Sequence, residues 1–221
     1  GLVLSPGWID SHSHSDRTVM TFPDQKEKIE QGITLSIGGQ CGGSVCDANS
    51  AEFLDNAQGA KLGANLAMLI GHGSIRKAVM GMDNREPTQQ ELEDMKAILR
   101  DAMENKPECG NIGGFYMEGP YMNPKFGADR ENNPWKGPVA AENYMPLVEK
   151  VGQDVKVWVL APERENILQF VLDARKNNPT VKFTVGHSEA SPQQIEALMP
   201  YGLCIGTHHT NATGDRIFYP E

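Results

Sequence analysis

The chain has 221 residues, of which 39% are hydrophobic and 23 are glycine, a composition typical of a folded α/β protein rather than a disordered or fibrous one. Its formal net charge is −9 and it has no run rich in lysine or arginine, so nucleic acid and anionic membrane surfaces are poor candidates for partners. The longest apolar runs, such as residues 66–70, are too short to span a bilayer. Four cysteines in this length do not suggest a disulfide scaffold, so a reducing cytoplasm is the simpler expectation.

Short apolar runs, many of them β-branched, recur along the chain and predict strands. They do not alternate between apolar and polar residues, which is expected of strands buried on both faces of a parallel sheet. In chain order, the predicted strands are residues 7–11, 33–37, 66–70, 112–117, 155–160, 181–185 and 203–206.

Segments with helical periodicity lie between these strands. One begins at a capping box formed by Thr88 and Glu91 and extends to residue 105. Another begins at Ser191, with Pro192 at the first helical position. A third is predicted for residues 162–176, with an apolar face made of Ile167, Leu168, Val171 and Leu172.

Alternation of strands and helices predicts a parallel sheet, either doubly wound or closed into a (β/α)₈ barrel. Polar, potentially metal-binding side chains follow the C-terminal ends of many strands, and all six histidines are among them. In a barrel these positions meet at one mouth, whereas an open sheet spreads them along an edge. The sequence therefore favours a single (β/α)₈ barrel domain of the TIM type over residues 1–221.

The histidines of the HSH stretch lie one residue apart, so they point to the same face of a strand. Nitrogen and carboxylate ligands suit zinc, iron(II), manganese or cobalt, and zinc is the commonest of these. Taken singly, each histidine could be a hydrogen-bonded core or loop residue. Taken together at strand ends, they predict a site for one or two divalent ions, with His12, His14, Glu118, His187 and His208 as candidate ligands.

Three further residues leave alternatives open. Cys41 lies in GGQCGGS, where a thiolate would be a strong zinc ligand, but a small residue in a tight turn explains it about as well. His72 in GHGS could orient a substrate, support a ligand, or bond only to backbone. Glu163 in LAPE is better suited to capping its helix or pairing with a base than to binding metal.

These residues together resemble the amidohydrolase superfamily. PGWIDSHSHSD looks like the PGFIDxHxH opening of the barrel in those enzymes, whose two histidines bind metal. FYMEGPYMNPKFGA, VLAPE, VGHSEAS and THHTNA are similar to the HLEGPFLNPxKKGAH, LAPE, GHS and THxxNA segments of N-acetylglucosamine-6-phosphate deacetylases. That resemblance implies that Glu118, His187 and His208 bind metal, and that Asn211 and Ala212 contact the substrate.

The first half of the chain resembles a different family. QGITLSIGGQCGGS and LIGHGSIRKAVMG, followed by PTQQELEDMKAILRDAME, are similar to segments of the N-acyl-D-amino-acid deacylases. In that family the cysteine of the GxCG turn is a metal ligand, which favours the same role for Cys41. No single family accounts for the whole chain.

Two positions depart from the deacetylase pattern. Asp129 stands at about the place of a histidine that contacts the sugar, and its carboxylate would repel a phosphorylated sugar. Arg216 is the residue available to replace the arginine that receives the phosphate. N-acetylglucosamine 6-phosphate is therefore a weaker expectation than the motifs alone suggest.

Seven strands are predicted and a (β/α)₈ barrel needs eight, so the last strand is expected to be missing. The superfamily also carries an aspartate base on its last barrel strand and a small β-sandwich, and neither has a counterpart in this sequence. We therefore expect the chain to be incomplete at both ends, with the main base beyond Glu221.

The resemblance implies hydrolysis of a linear amide in a small N-acylated substrate by metal-activated water. Our hypothesis for the mechanism adds His72 as a donor to the developing oxyanion. A homodimer is left open. The alternatives are a cyclic amidohydrolase of the dihydroorotase or hydantoinase type, for which no strand-end lysine is evident, and a non-catalytic metal-binding remnant.

Overall fold

A computed structural model gives the structure of the chain and describes residues 4–45, 50–104, 114–127, 131 and 133–208. All seven predicted strands are present, with ends that differ from the predicted ones by at most a few residues. They are β1 (Trp8–Asp10), β2 (Ile33–Gly38), β3 (Asn65–Met68), β4 (Phe115–Met117), β5 (Val155–Leu160), β6 (Lys182–Val185) and β7 (Leu203–Gly206).

The chain divides into two compact units, which we call the N-terminal unit (Gly1–Ile112) and the C-terminal unit (Gly113–Glu221). The N-terminal unit contains a parallel sheet of order β1-β2-β3, and the C-terminal unit a parallel sheet of order β4-β5-β6-β7. The predicted α/β class with parallel strands is therefore confirmed. Closure of the strands into one barrel, and a single domain over the whole chain, stay predictions.

Seven α-helices lie between these strands in the described residues. They are α1 (Lys26–Ile29), α2 (Ser50–Gly59), α3 (His72–Met80), α4 (Gln89–Glu104), α5 (Ala141–Val151), α6 (Ile167–Asn177) and α7 (Pro192–Leu198). Short 3₁₀ turns occupy Ser15–Arg17, Pro134–Lys136 and Met199–Tyr201. None of these helices is both long enough and apolar enough to cross a membrane.

Two of the predicted helix starts are confirmed in detail. At α4, the backbone amide of Glu91 donates to Thr88 Oγ1, and the Glu91 carboxylate accepts from the backbone amide of Thr88. At α7, Ser191 and Gln194 form the same reciprocal pair. Each box satisfies amide groups that the first turn of a helix leaves unbonded.

The third predicted helix begins later than expected. Helix α6 starts at Ile167 because Asn166, with a left-handed backbone (φ 62°), separates the helix from the preceding turn. Its buried face consists of Ile167, Phe170, Val171 and Ala174. Leu168 and Leu172, which were predicted on this face, are 39% and 40% exposed.

The core of the C-terminal unit is large and aromatic. The rings of Tyr121, Tyr144 and Trp158 pack edge-on around Phe170, with centroid distances of 5.5, 5.2 and 5.6 Å. All four side chains are at most 1% exposed. Edge-to-face packing of this kind stabilises aromatic clusters beyond the burial of their area.

The N-terminal unit has a smaller core. Its main apolar cluster consists of Ile75, Met80 and Met95, supported by Ile70, Val79 and Ile98. Several large apolar side chains in this unit are exposed, including Trp8 at 62% and Ile9 at 60%.

Candidate metal-binding groups

Three candidate ligands come together in the N-terminal unit. His12 and His14 follow the C-terminal end of β1, and Cys41 follows that of β2. Their ligand atoms lie within 4.8 Å of one another. His12 Nε2 is 3.3 Å from Cys41 Sγ, and the two imidazole rings lie edge to face with centroids 5.9 Å apart. We call His12, His14 and Cys41 the N-terminal group.

The loops that carry this group are joined by polar contacts to main-chain atoms. The amide of Ser13 donates to the carbonyl of Ile37 at 3.0 Å, which ties the loop after β1 to β2. Gln40 is 2% exposed, and its Nε2 donates to the carbonyl of Ser11 at 3.0 Å. Since Ser11 precedes His12 and Gln40 precedes Cys41, this bond fixes the two ligand loops against each other.

Glycine is required where the GGQCGGS turn meets β3. Gly39 has a left-handed backbone (φ 76°), and a Cβ atom there would lie 2.2 Å from the carbonyl oxygen of Leu69. That contact is too close for any side chain, and the backbone conformation itself disfavours residues with a Cβ. Cys41, two residues further along the turn, also has a positive φ of 54°.

The C-terminal end of the turn is hydrogen-bonded to the first turn of α3. Ser74 Oγ accepts from the amide of Ser44 at 2.9 Å and donates to the Ser44 carbonyl at 3.0 Å. A Cβ atom on Gly71 would lie 2.4 Å from the Gly42 carbonyl oxygen, so the GHGS stretch packs main chain against main chain. The glycine pattern of both segments therefore has a packing reason.

Three further candidate ligands come together in the C-terminal unit. Glu118 directly follows β4, while His187 and His208 follow β6 and β7. Glu118 Oε1 accepts from His187 Nε2 at 2.6 Å and from His208 Nε2 at 3.1 Å. The two imidazole centroids are 4.6 Å apart. We call Glu118, His187 and His208 the C-terminal group.

This group is largely shielded from solvent. The side chains of His187 and His208 are 9% and 11% exposed, and that of Glu118 is 25% exposed. Burial alone would raise the pKa of the Glu118 carboxyl, but the hydrogen bonds from the two imidazoles outweigh it and hold the pKa well below its usual range. Glu118 is therefore ionised at neutral pH.

Both histidines of the C-terminal group have left-handed backbones, with φ of 50° at His187 and 55° at His208. Such conformations are uncommon for residues with a Cβ and persist only where the surroundings hold them. Beside His208, the buried hydroxyl of Thr207 shares hydrogen bonds with Tyr116 at 2.6 Å and with Thr184 at 2.8 Å. This hydroxyl cluster anchors the end of β7.

Glu163 is not part of either group. Its Oε1 accepts from Asn123 Nδ2 at 2.9 Å and from the amide of Glu189 at 2.7 Å, and its Oε2 accepts from Ser188 Oγ at 2.6 Å. It therefore ties together loops that follow different strands. Sequence reasoning expected Glu163 outside the ligand set but did not find Asn123, although the MNP stretch contains it.

The remaining predicted site residues are His72, which is in neither group, and four residues outside the described ranges. His72 is the first residue of α3, and its side chain is exposed. Asn211, Ala212, Asp129 and Arg216 lie outside the described residues.

The donor atoms of the two groups fit a divalent transition metal. Imidazole nitrogen, thiolate sulfur and carboxylate oxygen are the ligand types that zinc takes in proteins. The spacing of the N-terminal ligand atoms, all within 4.8 Å, is compatible with a shared ion. In the C-terminal group, two imidazole nitrogens converge on one ionised carboxylate oxygen.

Comparison with known proteins finds deacylases. The chain is 31% identical over 137 residues to a D-aminoacylase of Alcaligenes xylosoxydans xylosoxydans, a match that covers 52% of this chain and 28% of that protein. The chain thus spans under a third of this curated relative's length. No protein-family model matches the chain.

Among the solved structures, an N-acyl-D-glutamate deacylase shows a likeness of fold. An N-acyl-D-glutamate deacylase from Bordetella bronchiseptica, solved with zinc and a phosphonate inhibitor, is 20% identical with a TM-score of 0.52, and the match covers 86% of this chain and 50% of that one. An N-acetyl-D-glucosamine-6-phosphate deacetylase from Mycobacterium smegmatis is 19% identical with a TM-score of 0.49, covering 96% of this chain and 49% of that one. The predicted resemblance to N-acyl-D-amino-acid deacylases is confirmed by the sequence relatives. The wider resemblance to the amidohydrolase superfamily and to N-acetylglucosamine-6-phosphate deacetylases stays a prediction.

Proposed function

We propose that the chain is part of a metal-dependent amidohydrolase that cleaves a linear amide and removes an acyl group from an N-acylated amine. The observation that carries this proposal is the Glu118 carboxylate, which accepts hydrogen bonds from His187 and His208 directly after the ends of parallel strands. An ionised carboxylate between a buried imidazole and a largely shielded one is an arrangement suited to binding a divalent cation.

The favoured substrate class is an N-acyl-D-amino acid. The 31% identity to a D-aminoacylase supports this choice, as does the placement of Cys41 beside His12 in a glycine-bounded turn. A second candidate is an N-acyl amino sugar, because the EGPYMNP stretch that contains Glu118 resembles the deacetylase segment.

The residues that would hold one or two divalent ions, zinc foremost, are His12, His14, Cys41, Glu118, His187 and His208. When bound, such an ion lowers the pKa of water toward ~7 and polarises the amide carbonyl. Glu118 orients the two imidazole Nε2 atoms and supplies the negative charge that a cation requires.

His72 is proposed as a donor to the oxyanion that develops on the amide. It is exposed at the first residue of α3, where the helix dipole contributes partial positive charge. Contacts to the substrate are proposed for Asn211, Ala212, Asp129 and Arg216.

The proposal includes a closed (β/α)₈ barrel forming a single domain, a small-molecule N-acylated substrate and a cytoplasmic location. A homodimer is compatible with it.

The test uses the full-length protein that contains this chain. We expect bound divalent metal by elemental analysis, loss of activity on chelation, and faster hydrolysis of N-acetyl-D-amino acids than of L-enantiomers, N-acetylglucosamine 6-phosphate or hydantoins. Glu118→Gln and His12→Asn should each lower activity by about 100-fold or more, since each removes a proposed ligand. Glu149→Gln, an exposed position on α5, serves as the matched control and should be neutral.

Other outcomes would replace the proposal. A protein that binds no divalent metal and keeps its activity under chelation contradicts it. Hydrolysis of hydantoins alone would identify a cyclic amidohydrolase, and metal binding without any hydrolysis would identify a non-catalytic remnant.

A further inference from the structure

We propose that Glu163 and Asn123 are positioning residues that hold His187 and Glu118 in their ligating arrangement. This inference rests on the proposed function, because it assigns these two residues to the support of a metal-binding group. Neither residue is among the candidate ligands of either group.

Glu163 lies between two of the loops that carry candidate ligands. It follows β5, the strand between β4 and β6, so its carboxylate lies between the loop that carries Glu118 and the loop that carries His187. Its two oxygens accept three hydrogen bonds, from Asn123 Nδ2, Ser188 Oγ and the amide of Glu189. With both oxygens bonded to loop donors, this carboxylate organises the loops.

Asn123 bridges His187 and Glu163 through hydrogen bonds. Its backbone amide donates to the His187 carbonyl at 2.9 Å, and its Nδ2 donates to Glu163 Oε1 and, at 3.2 Å, to Glu189 Oε2. Its Oδ1 accepts from the amide of Lys125 at 3.0 Å, which fixes the turn in which Asn123 lies. Asn123 is 7% exposed, so these bonds are shielded from water.

The backbone of His187 has an uncommon conformation that these bonds restrain. Its left-handed conformation (φ 50°) lies between β6 and the Ser188–Glu189 pair that Glu163 holds. The Asn123 bond restrains the carbonyl on the same residue. This conformation aims His187 Nε2 at Glu118 Oε1, 2.6 Å away. Residues bonded behind a metal ligand fix its orientation, and removing them typically lowers metal affinity by about 10- to 100-fold.

The test is a competition titration of the full-length protein that contains this chain, with zinc against a chromophoric chelator, for the wild type and matched variants. Glu163→Ala removes all three acceptor contacts and should weaken zinc affinity about 10- to 100-fold. Glu163→Gln keeps Oε1 for Asn123 and Glu189, and its amide can donate to Ser188, so it should restore most of the affinity. Ser188→Ala removes one donor and should fall between the wild type and Glu163→Ala.

Asn178→Ala is the structural control within the same unit. Asn178 is 5% exposed, and its Nδ2 donates to the carbonyls of Gly152, Gln153 and Val155, at the start of β5. Its removal should lower the melting temperature while leaving zinc affinity within about twofold, since its side-chain bonds within the described residues go to the start of β5 and to Thr180 rather than to a ligand loop.

A metal-free measurement separates this inference from the proposed function. In the metal-free wild type, NMR should show a hydrogen-bonded Nε2 proton on His187 and a protected amide at Asn123. Glu163→Ala should lose both signals and Glu163→Gln should keep them. If the wild type binds no zinc, the proposed function fails while these signals still decide the positioning role.

The positioning role is overturned if Glu163→Ala keeps both signals, if its zinc affinity equals that of a wild type that binds zinc, or if Glu163→Gln is as impaired as Glu163→Ala. Should Glu163→Ala not fold, Ser188→Ala and Glu163→Gln carry the same comparison.

Discussion

The two groups of candidate ligands are held in different ways. In the C-terminal group, side chains bond to side chains, with Glu118 accepting from two imidazoles. In the N-terminal group, Cys41 and His14 are exposed, and their loops are joined mainly through main-chain atoms and close glycine contacts. Hydrogen bonds between the ligand side chains therefore organise the C-terminal group, whereas the N-terminal group combines the His12 Nε2 to Cys41 Sγ contact at 3.3 Å with the fit of the backbone beneath it.

The cores of the two units also differ, because one is built of interlocked aromatic rings and the other contains methionine. The C-terminal unit places its ligands at the ends of strands that cover an aromatic cluster around Phe170. The N-terminal unit relies on a methionine-containing cluster that includes Met95. Methionine is flexible and fills gaps, whereas interlocked rings define a single packing arrangement.

The largest expected effect is that of Phe170→Ala. Phe170 is fully buried against three aromatic rings, so its truncation leaves a cavity and should lower the free energy of unfolding by about 3–5 kcal/mol. Met95→Ala in the smaller core should cost about 2 kcal/mol, the low end of the range for such truncations. Equilibrium urea unfolding followed by tryptophan fluorescence measures both.

The control for this prediction lies on the same helix. Leu172 is 40% exposed, and Leu172→Ala should change stability by less than about 1 kcal/mol. A Phe170→Ala protein no less stable than Leu172→Ala would remove the basis for contrasting the two cores.

Much of the fold could be predicted from the sequence. The β-branched runs gave every strand in the described residues, because strands of a parallel sheet are apolar on both faces and stand out as short runs. The capping boxes at Thr88 and Ser191 marked helix starts for a local chemical reason. The start of α6 was predicted too early, because the turn before it depends on the left-handed Asn166 and on bonds to distant loops.

The next effect in size concerns the backbone that supports the N-terminal group. Gly39→Ala introduces a Cβ at 2.2 Å from the Leu69 carbonyl oxygen in a left-handed conformation that alone costs about 1–2 kcal/mol. We expect the turn to shift and the amide of Leu69, which donates to the Gly38 carbonyl, to lose protection against hydrogen exchange. Zinc affinity of the chain should fall roughly tenfold if Cys41 is a ligand.

Gly59→Ala is the matched control in the same unit. A Cβ at Gly59 meets nothing within 4 Å, so this substitution should be neutral or slightly stabilising. If Gly39→Ala behaved like Gly59→Ala, the backbone fit would not be what places Cys41.

The ligand candidates could be predicted and their supports could not. His12 and His14 stand out because their spacing fits one face of a strand. Strand β1 ends before both of them, so they are not on a strand, yet they still come together beside Cys41, which stands out because glycines surround it. Gln40, Asn123 and Glu163 act through contacts to loops 29 to 66 residues away in the chain, and no local spacing encodes such pairs. Predicting them requires the strand order, which brings those loops together.

The smallest effect contrasts two capping boxes, one in each unit. The box at α4 uses the Glu91 carboxylate, which also pairs with Arg85 at 2.6 Å, whereas the box at α7 uses the uncharged Gln194 amide. Hydrogen bonds from Arg85, and then those from Thr88, lower the pKa of Glu91 from 4.5 to about 2. Since the folded pKa is depressed, the stabilisation is complete above pH 4.5 and is lost as the pH falls toward 2.

The two helices should therefore respond differently to acid. Protection of the Thr88 amide, which donates to Glu91, should decline between pH 4.5 and 2, while protection of the Ser191 amide, which donates to Gln194, should not.

Glu91→Gln should make the α4 box behave like the α7 box, with lower protection at neutral pH and little dependence on pH, because an amide keeps the hydrogen bond but loses the charge. Glu86→Gln, at an exposed position just before α4, should leave the pH profile unchanged. Equal acid sensitivity at Thr88 and Ser191 would show that the decline follows global unfolding of the chain rather than protonation of Glu91.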